Sequence, residues 1–357
     1  MINQTDPYDP NYDFYLRVIN DPIFWLVLAV TEFILVTVIV TGNSFLLFTT
    51  YKDPRKSLRS PPSLLIANLS ASDLLLGLFS VSLLALKDIL RYKHVDTPVA
   101  GVFKVVIYIV LITTLFVTSY SIIAMSVTFH VAINKPMEYK SIITKRIIKI
   151  YIAVLWLISL LTCILPVTNV SEKTYTMIYL HTHASLPAIL LTVIYVKVFR
   201  ALARRTRELQ LNGSDSIANS AGILERKRKM TITFLIILAM FYISYMPQYI
   251  TLHLLHFCTS CQQSTTFHKI DVVLSRFLFI NSAINPFIYA WRVPKYRQAF
   301  IDCWRMLLNK PKRTSQLNGS LVTERREQTV REIQVRFLRN TGGQSNHEDE
   351  LSDATSV

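Results

Sequence analysis

Seven stretches of predominantly apolar residues recur along the 357-residue chain, at roughly 23–50, 62–86, 99–133, 147–167, 177–199, 230–256 and 268–291. Each approaches or exceeds the roughly 20 residues that a helix needs to cross a bilayer. In hydrocarbon every backbone N–H and C=O must find an internal partner, so uninterrupted segments of this length are expected to be helices. Strands of a membrane barrel would instead alternate over segments of about ten residues, a rhythm this sequence lacks. Composition agrees: 51% of residues are hydrophobic and 17% charged, where soluble domains carry about 25% charged. The cysteines, Cys163, Cys258, Cys261 and Cys303, are too few to staple a disulfide-built fold. The expected class is therefore an all-α membrane protein, a seven-helix transmembrane bundle.

The net charge of +15 suggests nucleic acid until its distribution is examined. Lys and Arg number four, five, nine and seven in segments 51–60, 134–149, 197–229 and 292–313, against one, four, one and one in 1–22, 87–104, 168–183 and 256–269. Basic connections stay on the cytoplasmic side, so the N-terminus is expected outside and the C-terminus inside. The charge is then topological and attracted to anionic lipid, and no nucleic-acid partner is expected. The first 22 residues hold Asp6, Asp9, Asp13 and Asp21 against Arg17 alone, with no basic start and short apolar run, so no cleavable leader is expected.

Polar side chains inside spans are costly and normally face the bundle interior. Asn43, Asp73, Thr118, Asn281, Ser282 and Asn285 fall at positions that converge at mid-membrane in such a bundle. One carboxylate among neutral oxygens suits a small hard cation or a proton-linked switch; a water-filled network that only holds helices together is the alternative. Glu32 is either a ligand contact or a group satisfied by outer water or the bundle. Pro166, Pro187, Pro247 and Pro286 each remove a backbone hydrogen bond and loosen a helix.

At this point the motifs resemble those of the rhodopsin-like (class A) G-protein-coupled receptors, over about residues 24 to 308. The resemblance rests on Gly42-Asn43, on Leu65-Ile66-Ala67-Asn68-Leu69-Ser70-Ala71-Ser72-Asp73-Leu74, on Trp156 with Pro166, and on Pro187 with Tyr195. It continues in Phe241-Tyr242-Ile243-Ser244-Tyr245-Met246-Pro247, in Asn281 to Tyr289 with its Asn-Pro-x-x-Tyr core, and in Lys295 to Phe300 as a surface helix. The resemblance implies four segments: an extracellular N-terminus (1–22), the bundle (23–292), a membrane-surface helix (293–308) and a cytoplasmic tail (309–357). It implies a plasma-membrane protein that carries an extracellular small-molecule or peptide signal to a heterotrimeric G-protein. It also implies a structural sodium ion on Asp73, Thr118, Asn281, Ser282 and Asn285; a ligand-sensing switch at Phe241, Tyr245 and Pro247; and joint motion of Tyr195 and Tyr289.

Several positions depart from the family pattern. The Asp-Arg-Tyr triplet that meets the G-protein is replaced by Thr128, Phe129 and His130, and Lys227 stands where some members place Glu. Either the receptor couples through other contacts or it is an atypical receptor that binds or scavenges ligand with weak coupling. The family's disulfide from the third helix to the second outer loop has no cysteines to form it, as in melanocortin and lysophospholipid relatives. Cys258 and Cys261 are candidates for a local extracellular disulfide, with a redox or metal role as the weaker reading. That pair, Glu32 and the Asn281–Phe300 phrase look most like adenosine receptors, yet Leu252 replaces their purine-holding Asn and Phe279 their His. Leu111 stands where amine receptors carry an Asp, and Phe279 where opsins carry a Lys. Tyr249 completes the candidate ligand cavity with Glu32, Leu111, Leu252 and Phe279.

Smaller motifs add expectations. Asn3 and Asn169 are candidate glycosylation sites, whereas Asn68, Asn212 and Asn318 match the sequon in membrane or cytoplasm. Cys303 is a candidate for palmitoylation, with a buried thiol as the alternative. The polar tail from 309 is expected to be disordered, with Ser and Thr residues suited to arrestin recruitment and Thr355-Ser356-Val357 resembling a PDZ-binding terminus. No nucleophile, base and oxyanion set is recognisable, and no enzyme is expected. No internal repeat of a transporter is visible.

Overall fold

The computed structural model describes residues 21–95, 99–163, 172–211 and 217–308. Its elements are helices: α1 (Pro22–Lys52), α2 (Pro61–Tyr92), α3 (Val99–Asn134), α4 (Lys145–Thr162), α5 (172–211), α6 (Ile217–Phe257), α7 (Thr265–Arg292) and α8 (Pro294–Leu307), with single turns at Tyr139–Ile142 and Thr259–Gln262. All but α4 and α8 contain a window long and apolar enough to cross a membrane. α4 starts on Lys145, Arg146 and Lys149, which lowers its hydropathy, and its expected end at 167, including Pro166, lies outside the described residues.

Helix starts follow from local chemistry. Asp21 accepts from the Phe24 N–H at 3.1 Å with Pro22 at the first helical position, and Thr144 and Ser264 cap α4 and α7 in the same way. α1 packs on α2 and α7, α3 on α2, α4 and α5, and α6 on α5 and α7. The interior is filled by Ile39, Leu46, Leu65, Leu69, Leu76, Ile122, Met125 and Phe241. Val27, Val30 and Ile34 of α1 and Leu157, Leu160 and Leu161 of α4 are exposed, apolar residues on the outside that suit hydrocarbon rather than water. Beyond Cys303, residues 304–308 form the last turn of α8, closed by Leu308 N–H to Trp304 O.

Two wide π turns interrupt helices that composition alone reads as regular. The first, Leu76–Val81 in α2, brings Gly77 so close to α1 that a Cβ there would sit 2.8 Å from Ile39 Cγ2. The second, His181–Ser185 in α5, precedes Pro187. Proline has no N–H to give the carbonyl four residues earlier. That carbonyl, His183 O, instead accepts from Ser119 Oγ of α3 at 3.3 Å, and the neighbouring Thr182 O accepts from Tyr120 Oη at 3.2 Å. The proline defect thus becomes an α3–α5 tie rather than a loose kink.

Candidate functional site in the helical bundle

The same logic builds the centre of the bundle. Pro286 cannot serve the carbonyl of Ser282, and Asn43 Nδ2 of α1 does so at 3.1 Å, while also bonding Ile39 O at 3.0 Å. Gly42 lets α1 approach α7 closely, since a Cβ there would lie 3.1 Å from Pro286 Cγ. Ser282 Oγ then donates to Asp73 Oδ1 at 2.6 Å and Asn285 Nδ2 donates to Oδ2 at 2.9 Å. Asn43, Asp73, Ser282 and Asn285 are all buried. Thr118 reaches this region through Ser72 Oγ at 3.2 Å and does not bond the carboxylate, and Asn281 is buried one turn before Asn285 without bonding it either. Among the described residues the hydrogen-bond partners of Asp73 are neutral donors, and no ion pair is formed with it. A buried carboxylate with no cationic side chain is uncompensated. Asn43 Oδ1, linked to the carboxylate through Ser282, is a buried acceptor with no partner. Carboxylate, hydroxyl and amide oxygens form a hard donor set that fits a small cation.

On α6, Phe241 and Tyr245 are buried and stacked with ring centroids 4.3 Å apart, within the two turns that precede Pro247. Tyr242 Oη joins α6 to α5 by donating to Ala188 O at 2.9 Å, with Thr192 Oγ1 at 2.6 Å. Tyr195 and Tyr289 are buried in the main core, and Tyr289 packs against Tyr296 of α8 at 6.0 Å. Asn68, a sequon match, is buried and holds three helices together: it accepts from Trp156 Nε1 at 2.8 Å and donates to Ser121 Oγ at 2.9 Å.

Comparison with known proteins follows this geometry. The family model for the 7 transmembrane receptor (rhodopsin family) matches residues 42–289. The chain belongs to the rhodopsin family of seven-transmembrane receptors. It is 25% identical over 211 residues to adenosine receptor A2a of Canis lupus familiaris, covering 51% of this chain and 50% of that one. Melanopsin-B of Xenopus laevis is 23% identical over 326 residues, 82% of this chain and 59% of the relative. Adenosine receptor A2b of Gallus gallus is 23% identical over 335 residues, 82% of this chain and 93% of the relative. The matches therefore span about half of the first relative's length and less than two thirds of the second's.

In this rhodopsin-family member several residues singled out by the sequence are buried. Thr128 and Phe129 do not face outward: Thr128 Oγ1 turns back to Ala124 O at 2.8 Å, and Phe129, 5% exposed, packs with Ile133, Val198 and Ala201. His130 alone of the three is partly exposed, with Asn134 Nδ2 2.8 Å from its Nε2. The side chain of Lys227 lies outside the described residues. Tyr296, Ala299 and Cys303 share the inward face of α8, and Cys303 is buried there. Cys258 and Cys261 are joined by a disulfide. Asn3, Asn169, Asn212, Asn318 and the tail from 309 lie outside the described residues.

At the opposite end of the bundle from α8, Glu32 faces inward, fully buried, and pairs with Arg276 Nε of α7 at 2.5 Å. Arg276 Nη2 also meets Asp88 Oδ2 at 3.1 Å, and Asp88 Oδ1 holds Arg91 Nη1 at 3.3 Å, with Arg91 stacked over Trp25 at 4.2 Å. This four-charge chain across α1, α2 and α7 was missed from sequence, although an acid inside α1 demands a cation and Arg276 lies inside the seventh apolar stretch. A second missed cluster joins α6 to α7: Gln248 Nε2 and Thr251 Oγ1 donate to Asp271 Oδ1 at 3.0 and 2.9 Å. Leu111, Tyr249 and Leu252 are half-buried, and Phe279 is buried.

Proposed function

We propose that this chain is a plasma-membrane receptor, N-terminus outside, that binds an extracellular small molecule or peptide between the outer ends of its helices and signals to a heterotrimeric G-protein. The observation that carries this reading is the Asn43–Ser282–Asp73–Asn285 chain, which couples α1, α2 and α7 through a buried, uncompensated carboxylate. Such a site holds a sodium ion on Asp73, Ser282 and Asn285 at rest, and the ion supplies the charge that the carboxylate lacks. Ligand-driven displacement of Tyr245 against Phe241 then tilts α6 about Pro247, moves Tyr195 and Tyr289, and opens the basic face near 197–229. The relatives' names concern adenosine and an opsin, but Leu252 and Phe279 offer neither an amide for a purine nor an amine for retinal. Arrestin and a PDZ domain are further partners of the tail, and Asn3 and Asn169 carry glycans in this topology.

Second-messenger output of cells displaying the receptor, screened with purines, peptides and lipids, tests the reading; silence towards every G-protein class with surface display confirmed refutes it. The observation favouring a second reading is the burial of Phe129 where the family exposes an Arg. If Phe129→Arg gains signalling that the unmodified chain lacks, the protein is a binding or scavenging receptor instead.

A further inference from the structure

A pair of histidines bridges the outer ends of α5 and α6, outside the carboxylate network and unused by the reading above. His181 stands at the start of the π turn of α5, exposed, and His253 lies on α6 four residues before its end at Phe257. Their ring centroids are 5.5 Å apart with planes at 68°. Tyr249 packs against His253 with ring centroids 4.2 Å apart and planes tilted by 45°, and meets His181 at 6.2 Å.

The hydrogen bonds decide which nitrogen His253 offers and allow the same choice for His181. His253 Nδ1 lies 2.9 Å from Tyr249 O, and a carbonyl only accepts, so Nδ1 carries the proton and Nε2 keeps its lone pair. His181 Nδ1 lies 3.0 Å from Ser185 Oγ, a hydroxyl able to accept in the same way. An imidazole held by one nitrogen on an oxygen acceptor, with the other free, is the usual arrangement of a metal-ligating histidine. We propose that His181 and His253 form a two-imidazole site for a borderline divalent cation, Zn2+ in the first place, which clasps α5 to α6. No third His, Cys, Asp or Glu completes the site among the described residues, so water fills the remaining positions. Imidazole suits Zn2+, whereas Ca2+ and Mg2+ require oxygen ligands. The clasp does not depend on ligand identity or G-protein coupling.

The purified full-length protein in detergent or nanodiscs is heated in EDTA, CaCl2 or buffered micromolar ZnCl2. Zinc is expected to raise the melting temperature relative to EDTA where calcium does not. His181→Gln, His253→Gln and the double variant should each abolish that rise, and His256→Gln, whose Nδ1 is held by Leu252 O one residue face away, should retain it. A second measurement needs no variant: zinc should suppress diethylpyrocarbonate labelling of His181 and His253 several-fold, read by mass spectrometry, while sparing His256. Zinc stabilisation that survives both single substitutions, or equal labelling with and without zinc, overturns the proposal. Because neither assay reads signalling, a silent receptor would leave this result intact.

Discussion

Replacing Arg276 with methionine keeps an unbranched, flexible stem and removes the charge that two buried carboxylates share. Glu32 and Asp88 are both fully buried and Arg276 is 14% exposed, so little solvent screening softens the loss. Asp88 retains Arg91, but Glu32 loses the one cation paired with it among the described residues. Breaking a buried pair from one side costs about 3–5 kcal/mol, or about two to four powers of ten in the folded ratio. At roughly 2–4 °C per kcal/mol, the melting temperature of the purified protein should fall by about 6–20 °C. Glu32→Gln leaves Arg276 on Asp88 and should cost less, about 1–3 kcal/mol. Adding Glu32→Gln to Arg276→Met removes the orphaned charge, so the double variant should be more stable than Arg276→Met alone. A thermal-shift cycle over the three variants reads this coupling directly. Equal losses for the two single variants, or losses that simply add in the double, would refute the idea that one buried ion pair joins α1 to α7.

Asn43→Ala strands the Ser282 carbonyl that Pro286 cannot serve, and should lower stability by about 1–3 kcal/mol in the same assay. Asp73→Asn should abolish any sodium dependence of the melting temperature while leaving the α1–α7 tie through Asn43 in place; sodium stabilisation that survives the substitution counts against a cation there. Gly77→Ala drives a methyl into Ile39 and should cost about 1–3 kcal/mol, with surface display reporting the loss. Asp53 caps the turn after α1: burial raises its carboxyl pKa, but the Leu58 and Arg55 N–H groups and the Ser57 hydroxyl and N–H outweigh that and bring it below the ordinary value. A lowered folded pKa gives stability that is present above the unfolded value of about 3.9 and fades as pH falls through the folded one. Asp53→Asn should therefore flatten the acid limb of the stability profile below pH of about 4, and an unchanged limb would assign it to other acids.

What the sequence made legible was whatever lipid penalises. Apolar runs declared α1, α2, α3, α5, α6 and α7 because hydrocarbon admits no long polar helix, and Asn43, Asp73, Ser282 and Asn285 stood out because a polar group there needs a partner. Pairings were less visible. Arg276 and Asp88 carry ordinary charges near span ends, and nothing local says that α7 turns Arg276 towards α1 rather than to water. The π turns left weaker signs still: Pro187 marked a missing N–H, but that Ser119 and Tyr120 would take up the freed carbonyls depends on how α3 lies against α5. The inward placement of Cys303 was legible in the sequence as well. Tyr296, Ala299 and Cys303 follow the three- and four-residue spacing of one helix face, which places the thiol inside.

Phe129 shows how an absent motif can be replaced rather than lost. In this chain the end of α3 is closed against α5 by Phe129 and Ile133 on Val198 and Ala201, with Ile194 beside them. An ionic latch is directional and sensitive to salt and protonation, whereas an apolar contact depends on area and shape and responds to neither. Fully burying a phenylalanine is worth about 1.5–3 kcal/mol, which is comparable to a charge-assisted hydrogen bond of about the same size. The resting arrangement thus loses no stability by the exchange of Arg for Phe. What it loses is a cation that could be handed from one partner to another when the helices part. If the chain couples to a G-protein as proposed, the receiving contacts come from elsewhere, and the dense Lys and Arg between 197 and 229 are the groups positioned in sequence to supply them.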